Sequence, residues 1–305
     1  MNPDRRFWIG LGEVLWDVLP DARHLGGAPA NFAYHAAMLG AYSTVASRVG
    51  ADALGRQAIT SLQQLGVETH YVQVDEAHPT GTVNVQVDEA GQPRYTITED
   101  VAWDYLTWTE QWQELAERAD VICWGSLAQR SLPSRNTIHQ FLQSTRPNAL
   151  LIFDVNLRQR FYTREVLAES LKLSSVVKIN DEELPRVVNL LDGDSSKTPE
   201  QSARWLIQNY DLALVCLTRG AHGSLIITNS EKFEHPGFRA KVVDTVGAGD
   251  AFTAALAHHY LRGASLKRIS EAANVFGAWV ATQSGATPAA DQRVLRQVIG
   301  ERARV

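Results

Sequence analysis

Short runs of consecutive apolar residues recur along the chain, at Phe7–Leu11, Tyr42–Val49, Val121–Trp124, Leu150–Val155, Val176–Ile179 and Leu212–Leu217. Runs that are apolar at every position predict strands covered on both faces, as in a parallel sheet. Between them lie Ala30–Leu39, Leu54–Leu65, Arg135–Leu142, Glu165–Leu171 and Glu200–Gln208, where apolar residues recur three and four apart. That spacing predicts amphipathic helices. Strands alternating with helices predict an α/β protein, a three-layer α/β/α sandwich around a mainly parallel central sheet. The last third reads as more helical, with Ala251–Leu261, Lys267–Gln283 and Gln292–Arg302.

Residues 69–98 break this rhythm with strict alternation. In Thr82–Val87 the three valines share one face, and Thr82, Asn84 and Gln86 the other. Glu89–Pro93 carries Gly91 and Pro93 and reads as a hairpin turn, after which Tyr95 and Ile97 fall on one face. A two-stranded ribbon is not stable alone, so it must pack on the main body, on a ligand or on a second subunit. The expected organisation is one domain over 1–305 with a small β lid formed by about 13–18 and 69–100. Asp192–Pro199 reads as a surface loop.

The 305 residues carry a net charge of −5, with 45% hydrophobic and 21% charged residues, which is ordinary globular composition. A mildly acidic chain lacks the basic footprint of a nucleic-acid binder. No apolar run reaches the ~18 residues needed to span a bilayer, and none near the amino end resembles a secretory core of ~7–15. Cys123 and Cys216 each sit in an apolar run, which predicts two buried, reduced thiols in a cytoplasmic protein.

Five polar segments interrupt the pattern. In Asp244-Thr-Val-Gly-Ala-Gly-Asp250, an apolar strand end at Val242 and Val243 is expected to run into a small-residue loop and a helix starting near Asp250. Gly247, Ala248 and Gly249 allow close backbone approach, and the free amides of a helix start suit an anion such as a transferring phosphate. Asp250 beside that anion can take a proton from an attacking hydroxyl; equally, it can serve only the helix start. In Gly26-Gly27-Ala-Pro29-Ala-Asn31, the glycines fit a hinge and Pro29 a helix start, leaving Asn31 as a turn residue or a donor to a polyol. In Lys178-Ile-Asn180-Asp-Glu-Glu183, Asn180 and Glu183 have capping-box spacing, and the same carboxylate can hold Mg²⁺ directly or through water. Asp154-Val-Asn156-Leu-Arg158 lies at a strand's carboxyl end, where open α/β sheets bind ligands; Arg158 can pair with a phosphate or with a neighbour such as Asp181. Thr218-Arg-Gly220-Ala-His-Gly223 reads as a glycine-rich hairpin turn or a nucleotide-phosphate contact.

In this order the segments resemble the ribokinase/PfkB carbohydrate kinase family, over about Gly10 to Pro288, and Gly50-Ala-Asp-Ala-Leu-Gly55 is similar to its early turn. The resemblance implies a ribokinase-like fold and an ATP-dependent sugar kinase requiring Mg²⁺. It implies Asp250 as general base and the backbone of Gly247, Ala248, Gly249 and Asp250 as anion hole. It implies sugar contacts from Asp17, Gly27, Asn31 and Arg158. Asn180, Thr218, Gly220, Gly223 and Asn274 match nucleotide-binding positions, with Glu183 organising Mg²⁺. Many members hold a monovalent cation such as K⁺ through backbone oxygens, here near Asp244, Val246, Val280 and Gly285.

The Gly-Gly-Ala-Pro-Ala-Asn and Asp-x-Asn-Leu-Arg forms most resemble fructokinases, which points to fructose and fructose 6-phosphate. Ribose and 2-keto-3-deoxygluconate stay open, although Arg94 alone stands out as basic in the lid and an acidic sugar asks for more. Arg219 and His222 depart from the usual nucleotide loop. A homodimer through the lid is expected. A nicotinamide oxidoreductase would need a third glycine after Gly10-Leu-Gly12, and no Walker-A motif occurs. A sugar- or nucleotide-binding regulator without catalysis would be expected to lack Asp250 or the loop glycines, and this chain has them.

Overall fold

The computed structural model describes residues 6–19, 21–87, 93–289 and 291–300, and of residues 85–87, 93 and 94 the backbone alone. From the amino end come β1 (Phe7–Leu11), β2 (Leu15–Val18), β3 (Arg23–Gly26), α1 (Ala28–Met38), β4 (Tyr42–Gly50), α2 (Ala53–Gln64), β5 (Val72–Asp75), β6 (Gly81–Val87) and β7 (Pro93–Ile97). The chain continues through α3 (Glu110–Arg118), β8 (Val121–Trp124), α4 (Leu132–Gln143), β9 (Leu150–Asp154), α5 (Arg164–Leu173), β10 (Val176–Asn180), α6 (Glu183–Leu190) and α7 (Pro199–Tyr210). It ends with β11 (Leu214–Thr218), β12 (Ser224–Ile227), β13 (Lys232–His235), α8 (Ala248–Tyr260), α9 (Leu266–Ala281) and α10 (Gln292–Ile299).

Nine strands form the main sheet in the order β13-β12-β11-β10-β9-β8-β1-β4-β5. All pairings are parallel except those of β12 with β11 and β13. Successive side chains of the central strands enter opposite cores. Ile9, Leu11, Ile122, Phe153, Val177 and Val215 face the layer containing Trp112, Phe141 and Leu206. Trp8, Val121, Ile152, Val176 and Leu214 face Phe32, Phe252 and Phe276. This two-sided burial is why the strands read as unbroken apolar runs, and why Cys123 and Cys216 are buried free thiols.

A second sheet of four strands, β3-β2-β6-β7, stands apart from the first. It is built from two excursions, one after β1 and one after β5. The turn at Gly50–Gly55 ties down the second excursion: Asp52 accepts from Gly55 N at 2.7 Å and from Thr80 N at 2.8 Å. On the return, Arg130 lies over the Trp103 ring, 4.0 Å from its centroid, and forms a two-toothed pair with Asp104.

Within the segment 13–18, Leu15–Val18 form β2 of this sheet; two expectations fail and one strand is unforeseen. Val72–Asp75 pairs in parallel with Ser47–Gly50 on the main sheet, so the lid segment 69–100 is divided. Val67 and Val72 are drawn there by the apolar cluster under α1 and α2. Arg23–Gly26 forms a strand antiparallel to β2 that the sequence pattern did not suggest. Val242 and Val243, expected at a strand end, lie in an irregular segment 56% and 60% exposed. The amide of Val243 donates instead to Ala281 O at the end of α9, at 2.9 Å. The hairpin turn expected at Glu89–Pro93, apart from the Pro93 backbone, and the Arg94 side chain fall outside the described residues.

Candidate active site

The polar segments converge at the carboxyl edge of the main sheet, where chain reversals between strand and helix leave backbone groups free. The segment before α8 turns at Gly247, whose φ of +77° favours glycine. A Cβ at this position would also lie 2.7 Å from Ala286, so the turn packs against the 282–286 loop without room for a side chain. The helix starts at Ala248, two residues earlier than expected, and Asp250 sits in its first turn. Ala248 N donates to Thr245 O at 3.3 Å, while the amides of Gly247, Gly249 and Asp250 have no acceptor among the described residues. These amides and the helix dipole favour an anion.

Across from this turn, Pro29 sits in the first turn of α1 and Asn31 is 4% exposed. Asn31 Nδ2 donates to Asp250 Oδ2 at 2.8 Å. Asp250 is raised from 3.8 to about 6 by burial and by the charge of Asp154; Lys178, the Asn31 hydrogen bond and Arg158 hold it from rising further. A carboxylate so placed is ionised at neutral pH yet basic enough to accept a proton. Farther along α1, Tyr34 OH donates to Pro288 O at 2.5 Å and His35 Nε2 lies 3.0 Å from Ala286 O. Burial holds His35 at about 3, so its ring is neutral.

Arg158 is exposed, and its charge acts on Glu13, Asp17 and Asp250. Among the described residues it makes no ion pair with Asp181. Asp17 on β2 is raised by burial and opposed by His24 and Arg158. Its Oδ2 stands 2.7 Å from where a Cβ on Gly26 would be, so glycine lets the carboxylate lie over the strand. Glu13, unremarked in the sequence, is 2% exposed with Oε2 unpartnered, and burial raises it to about 7. A glutamate following an apolar strand through Gly12 was its visible signal.

The Asn180–Glu183 pair forms reciprocal bonds. Asn180 Oδ1 accepts from Glu183 N at 2.8 Å, and Glu183 Oε2 accepts from Asn180 N at 3.0 Å. Glu183 Oε1 also accepts from Leu157 N at 2.8 Å, which fixes the Arg158 segment to β10's end. Burial raises Glu183, against the charge of Lys178. Lys178 and Asp154, quoted in the sequence motifs without a role, are a buried pair: Lys178 Nζ reaches Asp154 Oδ1 at 3.0 Å.

Thr218 pairs with Asn180 across β11 and β10, so the glycine-rich turn lies beside the Asn180 end of the site. It joins β11 to β12 as a hairpin. A Cβ at Gly223 would strike His235 O at 2.0 Å. Arg219 is held by Glu234 at 2.7 Å, and His222 is exposed. Asn274 is buried, its Nδ2 donating to Ser224 Oγ and Ser270 O at 2.8 Å each. Asp244 Oδ1 and Oδ2 accept from Val246 N and Gly285 N, both at 3.0 Å, tying the two loops together. Val280, inside α9, already accepts from Gln283 N at 2.9 Å. Thus Asp17, Asn31, Arg158 and Asp250 gather at one end, Asn180, Glu183, Thr218, Gly220 and Gly223 along the edge, and Asn274 lies behind.

Among the described residues no helix is long and apolar enough to cross a membrane, and no group of three or more His, Cys, Asp or Glu could hold a metal ion. The profile of the pfkB family carbohydrate kinases matches residues 20–293. An uncharacterized sugar kinase of Pyrococcus horikoshii is 32% identical over 303 residues, covering 92% of this chain and 93% of that protein. Its crystal structure with ATP superposes with a TM-score of 0.82 at 29% identity, covering 97% of this chain and 99% of that one. A fructokinase of Escherichia coli is 30% identical, covering 93% and 95%. A Vibrio cholerae fructokinase structure with fructose, ADP and calcium has a TM-score of 0.81 at 27% identity, covering 97% and 99%.

Proposed function

Since the chain belongs to the pfkB family of carbohydrate kinases, we propose that it transfers the γ-phosphoryl group of ATP to a primary hydroxyl of a monosaccharide, most readily fructose, giving fructose 6-phosphate. The observation that carries this reading is Asp250 at the start of α8, held by Asn31 at 2.8 Å and raised to about 6. Asp250 takes the proton of the sugar hydroxyl as it attacks, and the amides at Gly247–Asp250, with Ala248 between the two glycines, bind the charge that develops on the transferred group. Asp17, Gly27, Asn31 and Arg158 hold the sugar. Thr218, Gly220, Gly223, Asn180 and Asn274 line the nucleotide side.

Glu183 fits a magnesium ion held through water, because both its oxygens are fixed by main-chain amides and each keeps a lone pair. Such an ion supplies charge neutralisation on the phosphates. The tied loops around Asp244, Val246 and Gly285 suit a K⁺ ion on backbone oxygens, with Val280 the weakest contributor. A neutral sugar is favoured over 2-keto-3-deoxygluconate because the charges facing Arg158 here are Glu13, Asp17 and Asp250, a setting hostile to a carboxylate substrate. Ribose would also fit that charge pattern.

The second sheet acts as the lid that excludes water. Among the described residues no further strand lies beside its outer strands β3 and β7, which supports a homodimer, and the buried free thiols suit the cytoplasm. The test is ADP release from ATP–Mg²⁺ with K⁺ over fructose, ribose, glucose, mannose and 2-keto-3-deoxygluconate, with Asp250→Asn as control. Turnover on fructose, lost in the variant, is expected. Binding of sugar and ATP without turnover would overturn catalysis in favour of a regulator.

A further inference from the structure

A charged residue in the middle of an otherwise apolar buried strand is costly unless something uses it. Lys178 is such a residue. It lies on β10 between Val177 and Ile179, and only 9% of it is exposed. Its Nζ meets Asp154 Oδ1 at 3.0 Å, and Asp154, at the end of β9, is 3% exposed. Thr253 Oγ1, in the second turn of α8, stands 3.1 Å from Asp154 Oδ2 and 2.9 Å from Gly249 O.

The ammonium also explains Gly249. A Cβ there would lie 2.8 Å from Lys178 Nζ, so the space a side chain would fill under the helix start is taken by a cation. Asp154 and Asp250 line one small cavity together with Cys123 and Gly125. The pair therefore sits directly beneath the anion-binding end of α8, out of water, where a fixed charge acts most strongly.

We propose that the buried Lys178–Asp154 ion pair is a positioning device of the phosphoryl-transfer site, with Lys178 as a fixed positive charge beneath Gly249 and Asp154 as the group that holds it there. The proposal rests on the kinase reading given above. Burial works against the Lys178 charge, yet Asp154, Glu183 and Asp250 together outweigh it and keep the ammonium protonated. The two members act on Asp250 with opposite signs: Asp154 favours its protonated form and Lys178 its ionised form. Glu13 from the turn after β1 and Arg158 from the loop after β9 face the same region, and Asn31 reaches it from α1.

The test is the pH profile of kcat for Asp154→Asn, Lys178→Met, Lys178→Arg and the double variant Lys178→Met/Asp154→Asn, with folding checked by melting temperature. Asp154→Asn is expected to move the acid limb to lower pH. Lys178→Met is expected to lower kcat about 10²–10³-fold, as loss of a preorganised charge does, with the sugar KM little changed. Lys178→Arg is expected to recover part of that loss, and the double variant, which removes both buried charges, to fold but stay slow. An acid limb unmoved in Asp154→Asn, or a folded double variant within tenfold of wild type, would overturn the proposal. Wild-type protein that forms no sugar-dependent ADP would instead overturn the kinase reading.

Discussion

Asn31 Nδ2 and Asp250 Oδ2, 219 residues apart in the chain, meet at 2.8 Å and join the first turns of α1 and α8. The bond fixes the carboxylate from α1 rather than from its own helix. Asp250→Asn keeps this contact, since an amide oxygen still accepts from Asn31. The variant is therefore expected to fold with wild-type circular dichroism while losing kcat by about 10²–10⁴-fold, the range of a lost general base.

Because Asp250 lies at about 6, kcat should rise between pH 5 and pH 7 with a midpoint near that value. The Asn31 bond favours the ionised form. Asn31→Ala should therefore move the midpoint upward. Steady-state rates from pH 5 to 8 at saturating sugar and ATP check both statements.

Glu13 bears on stability. Burial raises it from 4.5 to about 7, so the folded chain binds a proton more tightly than the unfolded chain. Stability from this group is full below about 4.5 and is lost as pH climbs through about 7. Glu13→Gln should accordingly raise the melting temperature at pH 8 and change it less at pH 5. Scanning calorimetry at the two pH values measures the difference.

At Gly247 a methyl group meets two obstacles, a φ of +77° and Ala286 at 2.7 Å. Gly247→Ala should destabilise by roughly 1–3 kcal/mol, the cost of a strained residue, and displace the amides that would bind the phosphoryl group. Urea unfolding should show the first effect, and a fall in kcat larger than any rise in KM the second.

Much of this arrangement was legible in the chain. Two-sided burial writes itself as unbroken apolar runs, so Val121–Trp124 is found to the residue. The reciprocal bonds of Asn180 and Glu183 follow from spacing three apart. What was hidden depends on partners distant in sequence. Val72–Asp75 alternates as a lid strand would, and only its packing beside Ser47–Gly50 sets it in the main sheet. Val242 and Val243 look like a strand end, but their hydrogen-bonding neighbour is the end of a helix. Spacing assigned no role to Lys178 or Glu13, because their neighbours Asp154, Gly249 and Arg158 come from segments distant in the chain.

The second sheet is woven from two excursions, one leaving after β1 and the other after β5, whereas Asp250, Lys178 and Glu183 all belong to segments beyond residue 150. The chain thus divides its inheritance in two. On the function proposed above, drift confined to the amino-terminal third would reshape much of what holds the sugar, Arg158 excepted, while the groups proposed for the chemistry stay in the carboxyl-terminal half. Asn31, Tyr34 and His35, all on α1, tie the first part to Asp250, Pro288 and Ala286 of the second.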